Sequence, residues 1–353
     1  MLKKKIGKFS ISDLKELIFS KLGVSNKKVI QGPQSGQDTN IVSLSDDFRL
    51  LVTTDPLYVN MNFPAEQAAW FGFHIILSDM LMSGVYPQYA IFSLNLPNDI
   101  DSGIFTRIWN VLHSECKRLG IAIISGHTGS YDGCNFPILG SGTFLAITPP
   151  ERCMNLKVAK IGDHIILVRL PGVETIASLL MIDKREGESL FKDNYEAMKA
   201  KYWSQLSLEV PVDAILEFQS KKIEKPVLGM HDIAERGLLG ALNEVAQLTG
   251  FGLLVNFDEI KIPEKLTDFI QHYFDTIEPI FSASGQGGLI LVCKERYTKD
   301  LIEALRMQSI EAFNIGKFTH PDQGKTFIYK DKEHPIEDDI EDPFWPVFTN
   351  IKK

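Results

Sequence analysis

The chain has 353 residues, a formal net charge of -8, and 44% hydrophobic against 23% charged residues. This describes a globular, soluble chain long enough for two ordinary domains with sizeable cores. No stretch concentrates Lys and Arg enough to follow phosphates, which argues against a nucleic-acid partner.

The basic start MLKKKIGK is followed by SISDLKELIFSKLG, which carries charges throughout, so no export signal is expected. Ser10 or Ser12 caps a first helix with Leu14, Leu17, Ile18 and Leu22 at helical spacing, and Gly23 stops it. GPQSGQD (32–38) is a glycine-bearing turn closed by Asp38, and a short strand follows at 41–44. A strand over 48–54 is expected to end on Asp55. AAWFGFHIILSDMLMSGV (68–85) is nearly long enough to span a membrane. It carries His74 and Asp79, so it reads as a buried helix, with no membrane partner. A carboxylate on such a helix needs a partner, because burying it unpaired is costly.

Residues 89–96 form a strand, and 102–119 form a helix with Ile104, Ile108, Leu112 and Cys116 on one stripe. IAIIS (121–125) is a buried strand with GHTGSYDGCN (126–135) as the loop at its end, and 137–148 is a further strand. The domain boundary is set at TPPER, giving domains 1–150 and 151–353. The second half begins with the strand HIILVRL (164–170) and the helix VETIASLLMI (173–182). The charged stretch 184–203 reads as a mobile insertion. VPVDAILEFQSK is helical and VLGM is a short strand that feeds a helix opening at His231-Asp232. Then come the strand 252–257, the helix 266–274, the strand LILVC, the helix TKDLIEALRMQ and a strand at 310–315. The acidic, proline-interrupted tail EHPIEDDIEDPFWPVF is expected to be irregular. Strands and helices mix without strict alternation, which implies two α/β (α+β) layered domains.

Cys116, Cys134, Cys153 and Cys293 form no CxxC pair. This argues against a zinc ribbon or dithiol motif and fits free thiols in a reducing cytoplasm. Neither a P-loop nor GxGxxG after a strand is present. The recurrent feature is single aspartates at the ends and turns of elements: Asp38, Asp55 and Asp232, with Asp79 inside an apolar helix. Brought together, they are an oxygen-ligand set suited to Mg2+. Taken singly, Asp38 and Asp232 read first as turn and cap residues, and Asp55 with Pro56 as the start of a turn. Asp232 and Glu235 have capping-box spacing, which leaves helix amides for an anion. Gly237 and Gly240 allow close approach to that helix, by another backbone or by a ligand. His127 and Thr128 sit between glycines, and GQGG (285–288) is a tight turn or a weak phosphate cradle.

In order, GPQSGQDTNIV, LLVTTDPL, LSDMLMSGVYPQYAIFSLNLP, ISGHTG, GMHDIAERGLLGALNEVAQLTGFG, EPIFSASGQGGLILV and FNIGKF resemble the AIR synthase (PurM)/HypE superfamily. That superfamily includes aminoimidazole ribonucleotide synthetase, selenophosphate synthetase, thiamine-monophosphate kinase and the hydrogenase maturation factor HypE. The likeness covers roughly residues 30 to 318. HDIAERGLLGALNEVA and GHTG are most similar to HypE and its archaeal-type relatives, whereas Ser78-Asp79 resembles the kinases. The kinase signature Asp-x-Ser-Asp-Gly is absent at 232–237.

The resemblance implies an N-terminal domain that pairs with its twin into a barrel-like homodimer core, and a C-terminal α/β domain. It implies ATP held between domains and subunits with Mg2+, and phosphorylation of an amide- or carbamoyl-type oxygen on a small-molecule or protein-borne substrate. Carried over by residue, Asp38, Asp55, Asp79 and Asp232 are implied metal ligands, and Asp55, Asp79, His127 and Asp232 are implied catalytic groups. Gly36, Asp38, Thr54, Gly126, Thr128, Gly129, Glu235 and Gly237 are implied nucleotide contacts. HypE ends in Pro-Arg-Ile-Cys, whereas this sequence ends FTNIKK, and its start has lysines without the cysteine of the selenophosphate enzymes. A separate acceptor molecule and nucleotide binding without turnover both stay open, as do a non-catalytic maturation partner, a purine cyclo-ligase and a kinase relative.

Overall fold

The computed structural model describes residues 7–351, so most of the lysine-rich start lies outside the described residues. The chain divides into two compact units: residues 27–32 with 38–153, and residues up to 26 with 33–37 and 154–353.

The first unit is a six-stranded sheet backed by two helices. Its strands are β1 (Val29–Gln31), β2 (Asn40–Ser43), β3 (Arg49–Tyr58), β4 (Tyr89–Leu96), β5 (Ala122–Ser130) and β6 (Ile138–Thr148), in the order β1-β2-β3-β6-β4-β5. β3 runs on past Asp55, its expected end. β2 pairs only with Arg49 to Val52. β3 is therefore an edge at Pro56, where a missing N–H costs the sheet nothing. GHTGS lies inside β5 and is not a loop: Gly126 stands opposite Phe92 in parallel register, and its missing Cβ lets the Phe92 carbonyl approach.

A short helical turn, α1 (Ile11–Leu14), is capped by Ser10 and belongs to the second unit. In the first unit, α2 (Ala65–Leu81) and α3 (Ser102–Leu119) pack together, with α2 against β3 and β6. The expected stripe on α3 is buried at Ile108, Leu112 and Cys116. α2 is a core helix, and among the described residues no helix is long and apolar enough to cross a membrane.

The second unit carries a mixed seven-stranded sheet in the order β13-β12-β9-β11-β7-β10-β8. Its strands are β7 (His164–Val168), β8 (Val227–Ile233), β9 (Gly252–Asn256), β10 (Gly288–Cys293), β11 (Ala312–Thr319), β12 (Lys325–Tyr329) and β13 (Lys332–Pro335). Its remaining helices are α4 (Val173–Ile182), α5 (Lys184–Phe191), α6 (Tyr195–Ser204), α7 (Glu209–Ser220), α8 (Gly237–Thr249), α9 (Glu264–Phe274), α10 (Thr298–Met307) and α11 (Phe344–Asn350). The stretch 184–203 is thus ordered helix, not an insertion: Tyr195 is buried and its hydroxyl donates to the Leu180 carbonyl at 2.7 Å, while Phe191 packs on Phe269. The tail is irregular over 336–343, as expected, but begins in β13 and ends in α11. Phe327 of β12 stacks on Phe257 and His334, and β12 runs parallel to β9.

Candidate functional site

In the first unit, alternation along β3 puts Thr53 and Asp55 on one face, about 7 Å apart. The Thr53 hydroxyl donates to the Asp79 carboxylate at 2.9 Å, and the Thr39 hydroxyl donates to the Asp79 carbonyl at 2.6 Å. The carboxylate on the apolar helix therefore has its partner, a buried threonine two residues before Asp55. Asp38 immediately precedes Thr39, on the bend that enters β2. Two threonine hydroxyls thus tie Asp79 to β3 and to the start of β2. Thr54 faces the other way, donating to the Gly142 carbonyl and accepting from Thr143. The alternation Thr53-Thr54-Asp55 was the signal for Thr53. Thr39 had none.

His127 is not brought to these aspartates within one chain. Asp55 pairs with Gly142, Gly142 with Phe92, and Phe92 with Gly126. Three strand spacings, about 14 Å, therefore separate Asp55 from Gly126 and its neighbour His127. His127, Thr128 and Gly129 lie on the exposed edge strand β5, where His127 Nε2 meets the Tyr131 hydroxyl at 2.6 Å.

In the second unit, Asp232 is buried inside β8 opposite Leu289 and does not open the helix. α8 starts at Gly237 with Arg236 as an N-cap that makes no side-chain cap bond, so the capping-box expectation fails. The chain turns through two left-handed residues, Arg236 and Gly237. A Cβ at Gly237 would press on the Phe281 and Ala283 carbonyls, and one at Gly240 on the Arg236 side chain, so both glycines serve close packing. Gly36 is buried against the Glu244 carbonyl of α8. Glu235 accepts the Lys8 amide, and Arg236 donates to the carbonyls of Lys8 and Phe9.

At the start of α8 the Gly237 amide donates to the Ala234 carbonyl at 3.2 Å. Asp342 accepts from the Arg236 amide at 3.0 Å, the Ser284 amide at 3.2 Å and the Ser284 hydroxyl at 2.7 Å. The Gln286 amide donates to Glu174 at 3.3 Å. The GQGG segment is therefore held as a turn by the protein's own carboxylates. Burial, with repulsion from Asp342 and Glu235, pushes the Glu174 carboxyl up to about 8, against the Gln286 hydrogen bond. Buried Arg169 donates to the carbonyls of Gln205, Ser207 and Gly287, which fixes the same segment from the other side.

His231 and Glu244 form a buried pair at 3.1 Å. Burial would raise the Glu244 carboxyl, but Lys8, His231 and Arg236 hold it down at about 2. Neither residue stood out singly, since the pair joins a strand and a helix.

The six-stranded and seven-stranded sheets with their helices define a mixed α/β protein of two units. Residues 36–145 match AIR synthase related protein, N-terminal domain, and residues 160–328 match AIR synthase related protein, C-terminal domain. The chain belongs to the AIR synthase related (PurM-like) family. It is 25% identical over 337 residues to thiamine-monophosphate kinase of Aquifex aeolicus, covering 92% of this chain and 99% of the relative. It is 23% identical over 305 residues to a putative hydrogenase expression/formation protein of Methanocaldococcus jannaschii, covering 85% and 84%. Among solved structures, Escherichia coli HypE superposes with a TM-score of 0.68 at 14% identity, covering 92% of this chain and 96% of the other. AaThiL complexed with AMPPCP and TMP gives 0.66 at 20% identity, covering 92% and 94%.

Proposed function

We propose that the chain binds ATP with Mg2+ and phosphorylates an amide- or carbamoyl-type oxygen, in the manner the HypE likeness implies. The observation that carries this reading is the tethering of Asp79 through Thr53 beside Asp55, with Asp38 next to the second tether, Thr39. Carboxylates are hard oxygen ligands, which fit Mg2+ better than a softer metal. Relatives with nucleotide in their solved structures, AaThiL with AMPPCP and a HypE with ATP, support the nucleotide. In this reading Asp38, Asp55 and Asp79 hold the ion, which supplies neutralisation of phosphate charge when bound. The residues orient the phosphates, and Thr53 keeps the Asp79 carboxylate aimed. In the second unit, Asp232 and Glu235 are the acidic candidates.

The chain forms a homodimer through β5, an edge strand exposing Ile123 and Ile124. Exposed apolar edges of this kind invite pairing with another strand. Such pairing gives His127, Gly126, Thr128 and Gly129 a place near a second copy. A second reading, a nucleotide-binding maturation partner without turnover, draws on a HypE solved as a HypE-HypF complex. The deciding experiment titrates a non-hydrolysable ATP analogue with and without Mg2+, then follows turnover with thiamine monophosphate, selenide and carbamoyl acceptors. Binding without turnover selects the partner reading. Failure of wild-type protein to bind nucleotide at all removes both.

A further inference from the structure

The irregular stretch 336–343 leads into α11, and the docking of this tail on the second unit centres on one side chain, Asp342. Its Oδ2 accepts the Arg236 amide at 3.0 Å and the Ser284 hydroxyl at 2.7 Å. Its Oδ1 accepts the Ser284 amide at 3.2 Å and the Phe344 amide at 3.0 Å. One carboxylate thus joins the turn that starts α8, the turn that precedes β10 and the tail itself. Beyond it, the buried rings of Phe344 and Phe348 lie 4.9 Å apart, and α11 packs on α4. Hydrogen bonds to an ionised acceptor are stronger than neutral ones, so the docking rests on a charged Asp342.

A second carboxyl group reaches the same turn. Glu174, in the first turn of α4, accepts the Gln286 amide at 3.3 Å, two residues on from Ser284. Two residues of chain span at most about 7 Å, so both carboxyl groups bind one short turn. The groups that face Glu174 are Asp342 on the tail, Glu235 before α8 and the Gln286 amide before β10. The neighbouring cation, Arg236, directs its guanidinium to the carbonyls of Lys8 and Phe9. Burial and two anions therefore oppose a charge on Glu174, and the Gln286 amide alone favours it.

Detaching the tail takes Asp342 away and admits water, so Glu174 ionises more readily in the detached state. The docked state holds the proton more tightly, and rising pH therefore favours detachment. Detachment uncovers the Arg236 amide and the Ser284 amide and hydroxyl, next to Glu235. Asp342, Glu174 and Ser284 lie outside the residues assigned to nucleotide and metal, so this docking is independent of that assignment.

We propose that the tail from Asp342 through α11 is a pH-gated strap, docked while Glu174 carries a proton and released from the start of α8 when Glu174 ionises beside Asp342.

The test is hydrogen exchange by mass spectrometry on the full chain, with exchange times scaled for the intrinsic effect of pH and β10 as the internal reference. Protection of 336–351 in the wild type is expected to fall about tenfold relative to β10 between about pH 6.5 and about pH 9. Glu174→Gln, which mimics the protonated side chain, is expected to hold that protection within about threefold over the same range. A merely structural Glu174 would shift protection equally at both pH values. Asp342→Asn is expected to lower tail protection about tenfold at about pH 6.5, the scale of hydrogen bonds lost from a charged acceptor. Where Glu174→Gln does not fold, the emission of Trp345, taken as wild type minus Trp345→Phe, replaces it and is expected to titrate with a midpoint near 8. Wild-type tail protection that stays level with pH, an equal fall in Glu174→Gln, full protection in Asp342→Asn, or a Trp345 emission unchanged from about pH 7 to about pH 9 overturns the proposal.

Discussion

Asp79→Asn separates a ligand carboxylate from a structural one. The side chain is half-buried and accepts the Thr53 hydroxyl at 2.9 Å. Asparagine keeps an acceptor oxygen at that position, so Thr53 still donates and the fold should lose no more than about 1 kcal/mol. The charge is a different matter. One elementary charge about 5 Å from an ion or phosphate, at an effective dielectric near 20, is worth about 3 kcal/mol, or ~100-fold in affinity. The assay is calorimetric titration of a non-hydrolysable ATP analogue in Mg2+, alongside a thermal melt of the same samples. The expected result is a melt shifted by only a few degrees and a large loss of Mg2+-dependent affinity. Thr53→Val is the companion: it removes the donor but keeps the charge, and should lose about 1–3 kcal/mol of stability with a smaller loss of affinity. An Asp79→Asn protein that melts normally and binds within about threefold of wild type refutes the ligand assignment.

Other consequences are equally direct. Gly287 has φ +100 and faces the Gln205 carbonyl, so Gly287→Ala should destabilise the second unit by about 3 kcal/mol, seen as a lowered denaturant midpoint. Ile124→Lys on the β5 edge should shift a dimer to monomer in analytical ultracentrifugation while leaving the circular dichroism unchanged; an unmoved dimer counts against that interface. The Glu174 carboxyl stands at about 8 in the folded chain against an ordinary 4.5. The unfolded chain therefore releases this proton first as pH rises, so the stability it contributes is complete below about 4.5 and lost on the way to about 8, by at most ~1.4 kcal/mol per pH unit. Glu174→Gln should flatten that slope in denaturant titrations across the window, and an identical slope in the variant would exclude Glu174 as its source.

The sequence by itself determined whatever rests on local periodicity and on ordered motifs. The stripe Ile108, Leu112, Cys116 fixed α3, and 173–182 gave α4 with its stated bounds. The ordered aspartate, GHTG and HDIAERGLLG segments identified the family whose domains match 36–145 and 160–328. Only the tertiary structure decided the partners. Thr53 reaches Asp79 across 26 positions, and His231 reaches Glu244 from strand to helix, so no local pattern encodes either bond. GHTG reads as a loop because glycines favour turns, yet Gly126 stays in β5 because the Phe92 carbonyl of the neighbouring strand fills the space of its absent Cβ. Asp232 has a helix cap's spacing, but pairing with β10 keeps it in strand until Ile233, and the turn through Arg236 and Gly237 starts α8 later. Spacing along the chain sets which residues can face one way; which of them meet is set by packing between elements distant in sequence, and that information is not local.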